Sequence, residues 1–96
     1  MATYDDFKKL EFRVAKIKDV AEHPNADRLY VITVDMGDKT KQIVAGIRNF
    51  YKKEDLIGKF VVVVDNLDPA VLRGVESNGM LLAASDDVGL SIITLD

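Results

Sequence analysis

The sequence contains no cysteine and only one histidine, His23, among its 96 residues. The absence of cysteine excludes a disulfide framework, a thiolate zinc site and a cysteine nucleophile. A single histidine without such a partner cannot assemble a metal centre or a nucleophile–base pair. Adjacent carboxylates such as Asp86 and Asp87 point apart on a strand, and no glycine-rich phosphate motif is present. We therefore predict a protein that is not an enzyme and needs neither a metal nor a cofactor.

Long apolar segments are also missing. No unbroken apolar run is longer than the one from Phe60 to Val64, which is far too short to span a bilayer. The amino-terminal stretch MATYDDFKKLEF lacks the apolar core of a signal peptide. The sequence thus predicts a cytoplasmic protein without a membrane partner. Because 48% of its residues are hydrophobic, we expect residues 1–96 to fold as one domain.

Positive charge is scarce, since the formal net charge is −3. Residues 1–64 hold 12 of the 13 Lys and Arg and 10 of the 16 acids, a balance of +2, whereas residues 65–96 have a balance of −5. A basic face for nucleic acid must therefore come mainly from the first two thirds. Such a weak basic excess predicts modest RNA affinity with a shallow salt dependence.

Alternation of apolar and polar residues predicts the early strands. The first alternates over residues 10–14 and slips in phase at Ala15, where we predict a β-bulge that bends the strand. Residues 29–36 and 40–46 form two further strands, and Gly37 and Asp38 between them indicate a hairpin turn. The second and third strands therefore predict a hairpin.

The second half of the sequence begins with a helical signal. Residues 53–57 precede Gly58, which predicts a short helix ending at a glycine cap. Residues 59–64 are β-branched and predict a strand buried on both faces. Residues 79–85 and 88–96 predict the last two strands.

The order of these elements decides between fold classes. Strand pattern alone is also compatible with an SH3-like barrel or a β-sandwich. A short helix between strands 3 and 4 favours an all-β OB-fold, a five-stranded Greek-key barrel whose open face and flanking loops bind oligonucleotides or oligosaccharides.

The segments HPNADRLYV, QIVAGI, FYKKEDLIGKFVVVV and LRGVESNGMLLAAS follow one another between about Phe7 and Ser85. They resemble the tRNA-binding domain of the methionyl-tRNA synthetase C-terminal or β-subunit type. Free-standing tRNA-binding proteins and the endothelial monocyte-activating polypeptide family carry similar domains. The resemblance implies an OB-fold that binds tRNA by shape and raises the local tRNA concentration for an aminoacyl-tRNA synthetase.

The same resemblance implies a set of binding residues, namely Asn25, Arg28, Arg73, Ser77 and Met80. From the residues themselves, each has a plainer alternative. Asn25 can hold its own loop, Arg28 can be a solubilising charge, and Ser77 can be a turn residue. Met80 can be ordinary core, and Arg73 can form an ion pair with the neighbouring Glu76.

Cations for phosphates are expected on the first three strands. Lys16 and Lys18 are predicted on the outer face of the bent strand, and Lys41 lies beside a loop of the same half. For any single lysine, the alternative is a solvated position without a ligand.

Relatives of this kind carry a basic, proline-rich tail that helps to build a homodimer, whereas this sequence stops at TLD. The short tail argues against a homodimer, although one remains possible. The acidic last third favours a rival hypothesis, a protein-interaction or chaperone-like module on the same fold. An oligosaccharide site is a weaker alternative, because the sequence has only three Tyr, four Phe and no Trp to build one.

Overall fold

The structure is a computed structural model that describes all 96 residues. Helix α1 (Tyr4–Lys8) comes first and is exposed along its whole length. Thr3 caps it, because its hydroxyl accepts from the Asp6 amide while the Asp6 carboxylate accepts from the Thr3 amide. The amide of Asn66 donates to the carbonyl of Lys9 and thus joins the end of this helix to the barrel.

A curled antiparallel sheet of five strands follows. They are β1 (Phe12–Glu22), β2 (Tyr30–Asp35), β3 (Thr40–Ala45), β4 (Phe60–Val64) and β7 (Met80–Leu81). Their order in the sheet is β3-β2-β1-β4-β7. Helix α2 (Lys53–Leu56) lies between β3 and β4 along the chain and packs against β1. The predicted five-stranded OB-fold with a helix between strands 3 and 4 is confirmed.

Two short hairpins complete the fold. Strands β5 (Ala70–Leu72) and β6 (Val75–Ser77) pair with each other, as do β8 (Ala83–Ser85) and β9 (Leu90–Ile92). Between β6 and β7, the backbone amide of Asn78 donates to the carbonyl of Gln42 in β3 at 2.9 Å. This bond holds the chain between β6 and β7 against β3. The segment 79–85, predicted as one strand, is thus divided into β7 and β8, and the strand predicted over residues 88–96 is shortened to β9.

The bulge in β1 lies later than the sequence predicts. Pairing with β2 shifts between Ile17 and Asp19, whereas Ala15 is fully buried and Val14 is 55% exposed. The reason is Arg13, whose guanidinium donates to the Asp38 carboxylate and to a backbone carbonyl. Because this ion pair satisfies a polar side chain in the inward row, the apolar residues on either side of it face outward. The position predicted at Ala15 is thus wrong, although a bulge does bend the strand.

The core fills the inside of the barrel. Its largest fully buried side chains come from β1, β2, β3, α2 and β4, and they are Ile17, Ile32, Ile43, Leu56, Val34, Val61 and Val63. Val64 is also fully buried, but it lies on the other face of β4. Burial of β4 on both faces is only partly correct, since Phe60 is 48% exposed. Neither helix has the length and apolar character needed to cross a membrane.

Candidate nucleic-acid interface

The loop between β1 and β2 is tied to the β5–β6 hairpin by His23. This side chain is 4% exposed, and its Nε2 lies 2.8 Å from the carbonyl oxygen of Leu72. Its Nδ1 accepts from the backbone amide of Asn25 at 2.9 Å. Because Nδ1 acts as the acceptor, Nε2 carries the proton and donates to Leu72. Two segments almost fifty residues apart in sequence are held together by one neutral ring.

Three of the predicted binding residues meet at this junction. The Asn25 side-chain amide donates to the carbonyl of Arg73 at 3.4 Å. Arg28 and Arg73 line one shallow hollow of about 360 Å³ together with Asp27. Both arginines are exposed, and neither forms an ion pair within the chain. The Arg73–Glu76 ion pair that the sequence left open does not form.

The tip of the hairpin has an unusual backbone. Leu72 pairs with Val75, so Arg73 and Gly74 are the two turn residues, with φ angles of 53° and 87°. Positive φ at both positions defines a type I′ turn, which favours Asn-Gly. Arg73 is the only non-glycine residue with positive φ in the chain, and the left-handed conformation costs such a residue roughly 1–2 kcal/mol. An arginine thus occupies a position where backbone preference favours asparagine or glycine.

Beside the hairpin runs a mostly apolar groove of about 280 Å³. Met80 is 48% exposed on one wall, Val44 of β3 contributes to the lining, and Leu72 belongs to the hairpin side. Asp68 adds one carboxylate. Met80 therefore lies at the surface, and the alternative that it belongs to the core does not hold.

Ser77 is buried at 4% exposure. Its hydroxyl accepts from the amide of Val44 at 2.9 Å and donates to the carbonyl of Gly79 at 3.1 Å. These two bonds join the hairpin to β3 and shape the turn that leads to Met80. Contact between Ser77 and RNA stays a prediction, but its donor already has a partner inside the protein.

The three predicted lysines are not gathered at the junction. Lys16 and Lys18 are exposed on β1, whereas Lys41 lies on β3, and β2 separates these two strands in the sheet. Lys16 lies over the ring of Phe60, with its Nζ 5.9 Å from the ring centroid. Lys16 and Lys18 therefore offer positive charge away from the junction of the β1–β2 loop with the β5–β6 hairpin.

Lys41 forms an ion cluster with the buried Asp65 and the more exposed Lys39. Its Nζ lies 2.6 Å from a carboxylate oxygen of Asp65 and donates to the Asp65 carbonyl at 2.8 Å. Lys39 contacts the other carboxylate oxygen at 2.9 Å. Hydrogen bonds from Lys41 and Lys39 lower the pKa of Asp65, against the opposing effect of burial. Much of the charge predicted for RNA at Lys41 is therefore compensated inside the protein.

Sequence reasoning missed two groups, His23, which organises the junction, and Asp65, which organises the lysine cluster. From the sequence, His23 is considered only to exclude a catalytic or metal-binding role, and Asp65 counts only as one of the acids of the last third. No spacing in the sequence indicates that His23 contacts residue 72 or that Asp65 contacts residues 39 and 41, because all of these contacts join distant segments.

The family model described as "Putative tRNA binding domain" matches residues 12–96. Among curated relatives, the methionine–tRNA ligase of Thermococcus kodakarensis is 53% identical over 94 residues, or 98% of this chain. That of Nanoarchaeum equitans is 52% identical over 96 residues, or 100% of this chain. The chain spans only 13% and 12% of the length of these two relatives.

Solved structures agree with the sequence comparisons. A methionyl-tRNA synthetase related protein from Pyrococcus horikoshii superposes with a TM-score of 0.90 and 32% identity, covering 99% of this chain and 88% of that one. The CsaA chaperone protein from Picrophilus torridus gives a TM-score of 0.90 and 34% identity, covering 100% and 92%. Because the family model matches residues 12–96 and the relatives are methionine–tRNA ligases, the chain belongs to the tRNA-binding domain family related to methionyl-tRNA synthetases.

Proposed function

We propose that this chain is a non-catalytic module that binds tRNA by shape and assists a methionyl-type aminoacyl-tRNA synthetase, in cis or in trans. The observation that carries the proposal is the meeting of Asn25, Arg28 and Arg73 at one end of an OB-fold barrel. Loops at this position, after the first strand and before the fifth, commonly bind oligonucleotides on this fold. The similar methionine–tRNA ligases supply the link to a synthetase.

The junction combines groups suited to RNA. Arg28 and Arg73 supply guanidinium groups for phosphate oxygens, and neither has a competing ion pair. Asn25 offers an amide at the same place, and Met80 offers an apolar contact for a base or ribose in the adjacent groove. Ser77 supports this surface by shaping the turn before Met80. Such a small set of cations supports modest affinity and a shallow salt dependence.

Lys16 and Lys18 act as a second, weaker electrostatic area. Their position on β1 lets them attract the RNA backbone without taking part in the junction. Lys41 contributes mainly through the field of the ion cluster, because Asp65 compensates its charge. In this division of roles, residues 1–96 act as one tRNA-binding unit in the cytoplasm.

The proposal is tested by fluorescence anisotropy with bulk tRNA at two salt concentrations, using a single-stranded RNA of similar length as competitor. Saturable binding that prefers tRNA is the expected result. Arg28→Ala and Arg73→Ala should each weaken binding, whereas Lys9→Ala, at an exposed lysine without an ion pair, should have little effect. Equal affinity for both RNAs, or no binding at micromolar protein in low salt, would refute tRNA recognition by shape.

A second candidate function is protein interaction of the chaperone type. It is favoured by the similarity to the CsaA chaperone protein and by apolar side chains exposed on the outer faces of β1 and β4. Phe12, Val14 and Phe60 are 36%, 55% and 48% exposed on these adjacent strands. Suppression of the aggregation of a denatured protein, lost in Val14→Lys but kept in Arg73→Ala, would support this function. A homodimer through the same face would appear as a doubled mass in sedimentation.

A further inference from the structure

His23 is buried between the β1–β2 loop and the β5–β6 hairpin. It is one of three buried polar or charged residues in the chain. Both ring nitrogens have partners, the amide of Asn25 on one side and the carbonyl of Leu72 on the other. Leu72 directly precedes Arg73, and Asn25 is itself a proposed RNA contact. The ring therefore touches the backbone of both segments immediately beside their binding groups.

We propose that His23 is a positioning residue that holds the Asn25–Arg28 loop and the Arg73 turn in one preassembled tRNA site. This role rests on the proposed function and gives His23 no contact with RNA. The bond that joins the two segments is the one from Nε2 to Leu72, because the bond to Asn25 stays within the loop. A second, weaker link is the 3.4 Å contact from Asn25 to the carbonyl of Arg73.

The short β5–β6 hairpin explains why a link from His23 to Leu72 would matter for binding. The β5 and β6 strands have only three residues each, and a short two-stranded hairpin is marginally stable alone. Bonds from Val44 and Gln42 of β3 hold β6, so the strand that His23 anchors at Leu72 is β5. Arg73 at its tip is exposed, and its left-handed backbone adds strain. Without an anchor at Leu72, the tip would sample other conformations, and binding would have to include the cost of ordering it. A preformed site avoids that cost.

Two substitutions separate the linking bond from the rest of the ring. In His23→Gln, the side-chain amide nitrogen is as many bonds from the backbone as Nε2 and can still donate to Leu72. In His23→Asn, the side chain ends near the position of Nδ1, so the acceptor for Asn25 is retained while the link to Leu72 is lost. If His23 is a positioning residue, His23→Asn should weaken tRNA binding about tenfold, and His23→Gln should stay within about threefold of the unaltered chain.

The salt dependence of binding distinguishes positioning from general destabilisation. A smaller folded fraction lowers the apparent affinity equally at all salt concentrations. Loss of a phosphate contact instead reduces the slope of log affinity against log salt by about one. We expect His23→Asn to reduce the slope as Arg73→Ala does. In an Arg73→Ala background, His23→Asn should cost less than a further twofold, because the two changes remove the same contact.

The experiment is an anisotropy titration of the 96-residue chain with bulk tRNA at four salt concentrations, with thermal unfolding of each variant as a check of folding. Unchanged affinity and slope in His23→Asn, while Arg73→Ala weakens binding, would overturn the positioning role alone. A full further tenfold loss in the double variant would overturn it too, as would equal losses in the Gln and Asn variants. If the unaltered chain does not bind tRNA, the proposed function itself fails, and this inference fails with it.

Discussion

Replacing Arg73 by asparagine should make the protein more stable and a weaker tRNA binder at the same time. The residue has a φ angle of 53° in a two-residue turn that precedes Gly74. Asparagine tolerates this left-handed conformation better than arginine, and Asn-Gly is the preferred pair in type I′ turns. Relief of part of the roughly 1–2 kcal/mol backbone cost should raise the free energy of unfolding by about 0.5–1 kcal/mol.

The affinity should change in the opposite direction. The Arg73→Asn variant would lack the guanidinium that the proposed site offers to phosphate, a charged hydrogen bond worth about 1.5 kcal/mol or more. That corresponds to a dissociation constant roughly tenfold higher. The salt slope should also become shallower by about one. Opposite signs are informative, because a substitution that merely damaged the fold would lower both quantities.

Urea unfolding followed by circular dichroism measures the first quantity, and tRNA anisotropy titrations at several salt concentrations measure the second. The expected gain in stability corresponds to a rise in melting temperature of about 4 °C for a domain of this size. Lys9→Gln is the control, because it removes an exposed cation that forms no ion pair. A less stable Arg73→Asn would refute the strain at the turn, and unchanged binding would refute the role of the guanidinium.

Three further predictions concern the surroundings of the site. Asp65→Asn should lower the free energy of unfolding by about 3 kcal/mol in urea titrations at neutral pH, because it leaves the Lys41 ammonium largely buried without its counter-charge. Since the pKa of Asp65 is lowered in the folded state, its stabilisation is complete at neutral pH and is lost as the pH falls below the ordinary carboxyl range. The difference between the unaltered chain and Asp65→Asn should therefore shrink in acid, and a difference that grows there would contradict the ion cluster. Ser77→Ala should cost about 1–3 kcal/mol of stability in the same assay, because it leaves a buried amide of β3 without an acceptor. Met80→Ala should leave the melting temperature nearly unchanged and weaken tRNA binding by about 1–2 kcal/mol, and normal binding by this variant would remove the groove from the interface.

Local pattern was sufficient for the outline of the fold. Alternation and turn residues predicted the β2–β3 hairpin at Gly37, and the β-branched run predicted β4. The glycine at position 58, which has a φ angle of 91°, marked the end of α2. These predictions succeeded because each depends on interactions between residues that are close in sequence.

The family resemblance contributed the residues Asn25, Arg28 and Arg73, but not the reason why they lie together. That reason is the packing of the β1–β2 loop on the β5–β6 hairpin, which depends on barrel closure. The same limit explains the bulge in β1. Hydrophobicity placed Val14 inside, whereas the distant Asp38 carboxylate allows Arg13 to take the inward row.

By itself, the sequence determined that this protein is a small, cysteine-free β-barrel with a helix before its fourth strand and with the motifs of a tRNA-binding domain. Only the tertiary structure decided which polar groups are available to a ligand. Lys41 and Ser77 are engaged inside the protein, Arg28 and Arg73 are unpaired, and His23 joins their two segments. The physical reason is that a side chain's partner is chosen by which strands become neighbours, and that choice depends on the whole barrel rather than on any short stretch of sequence.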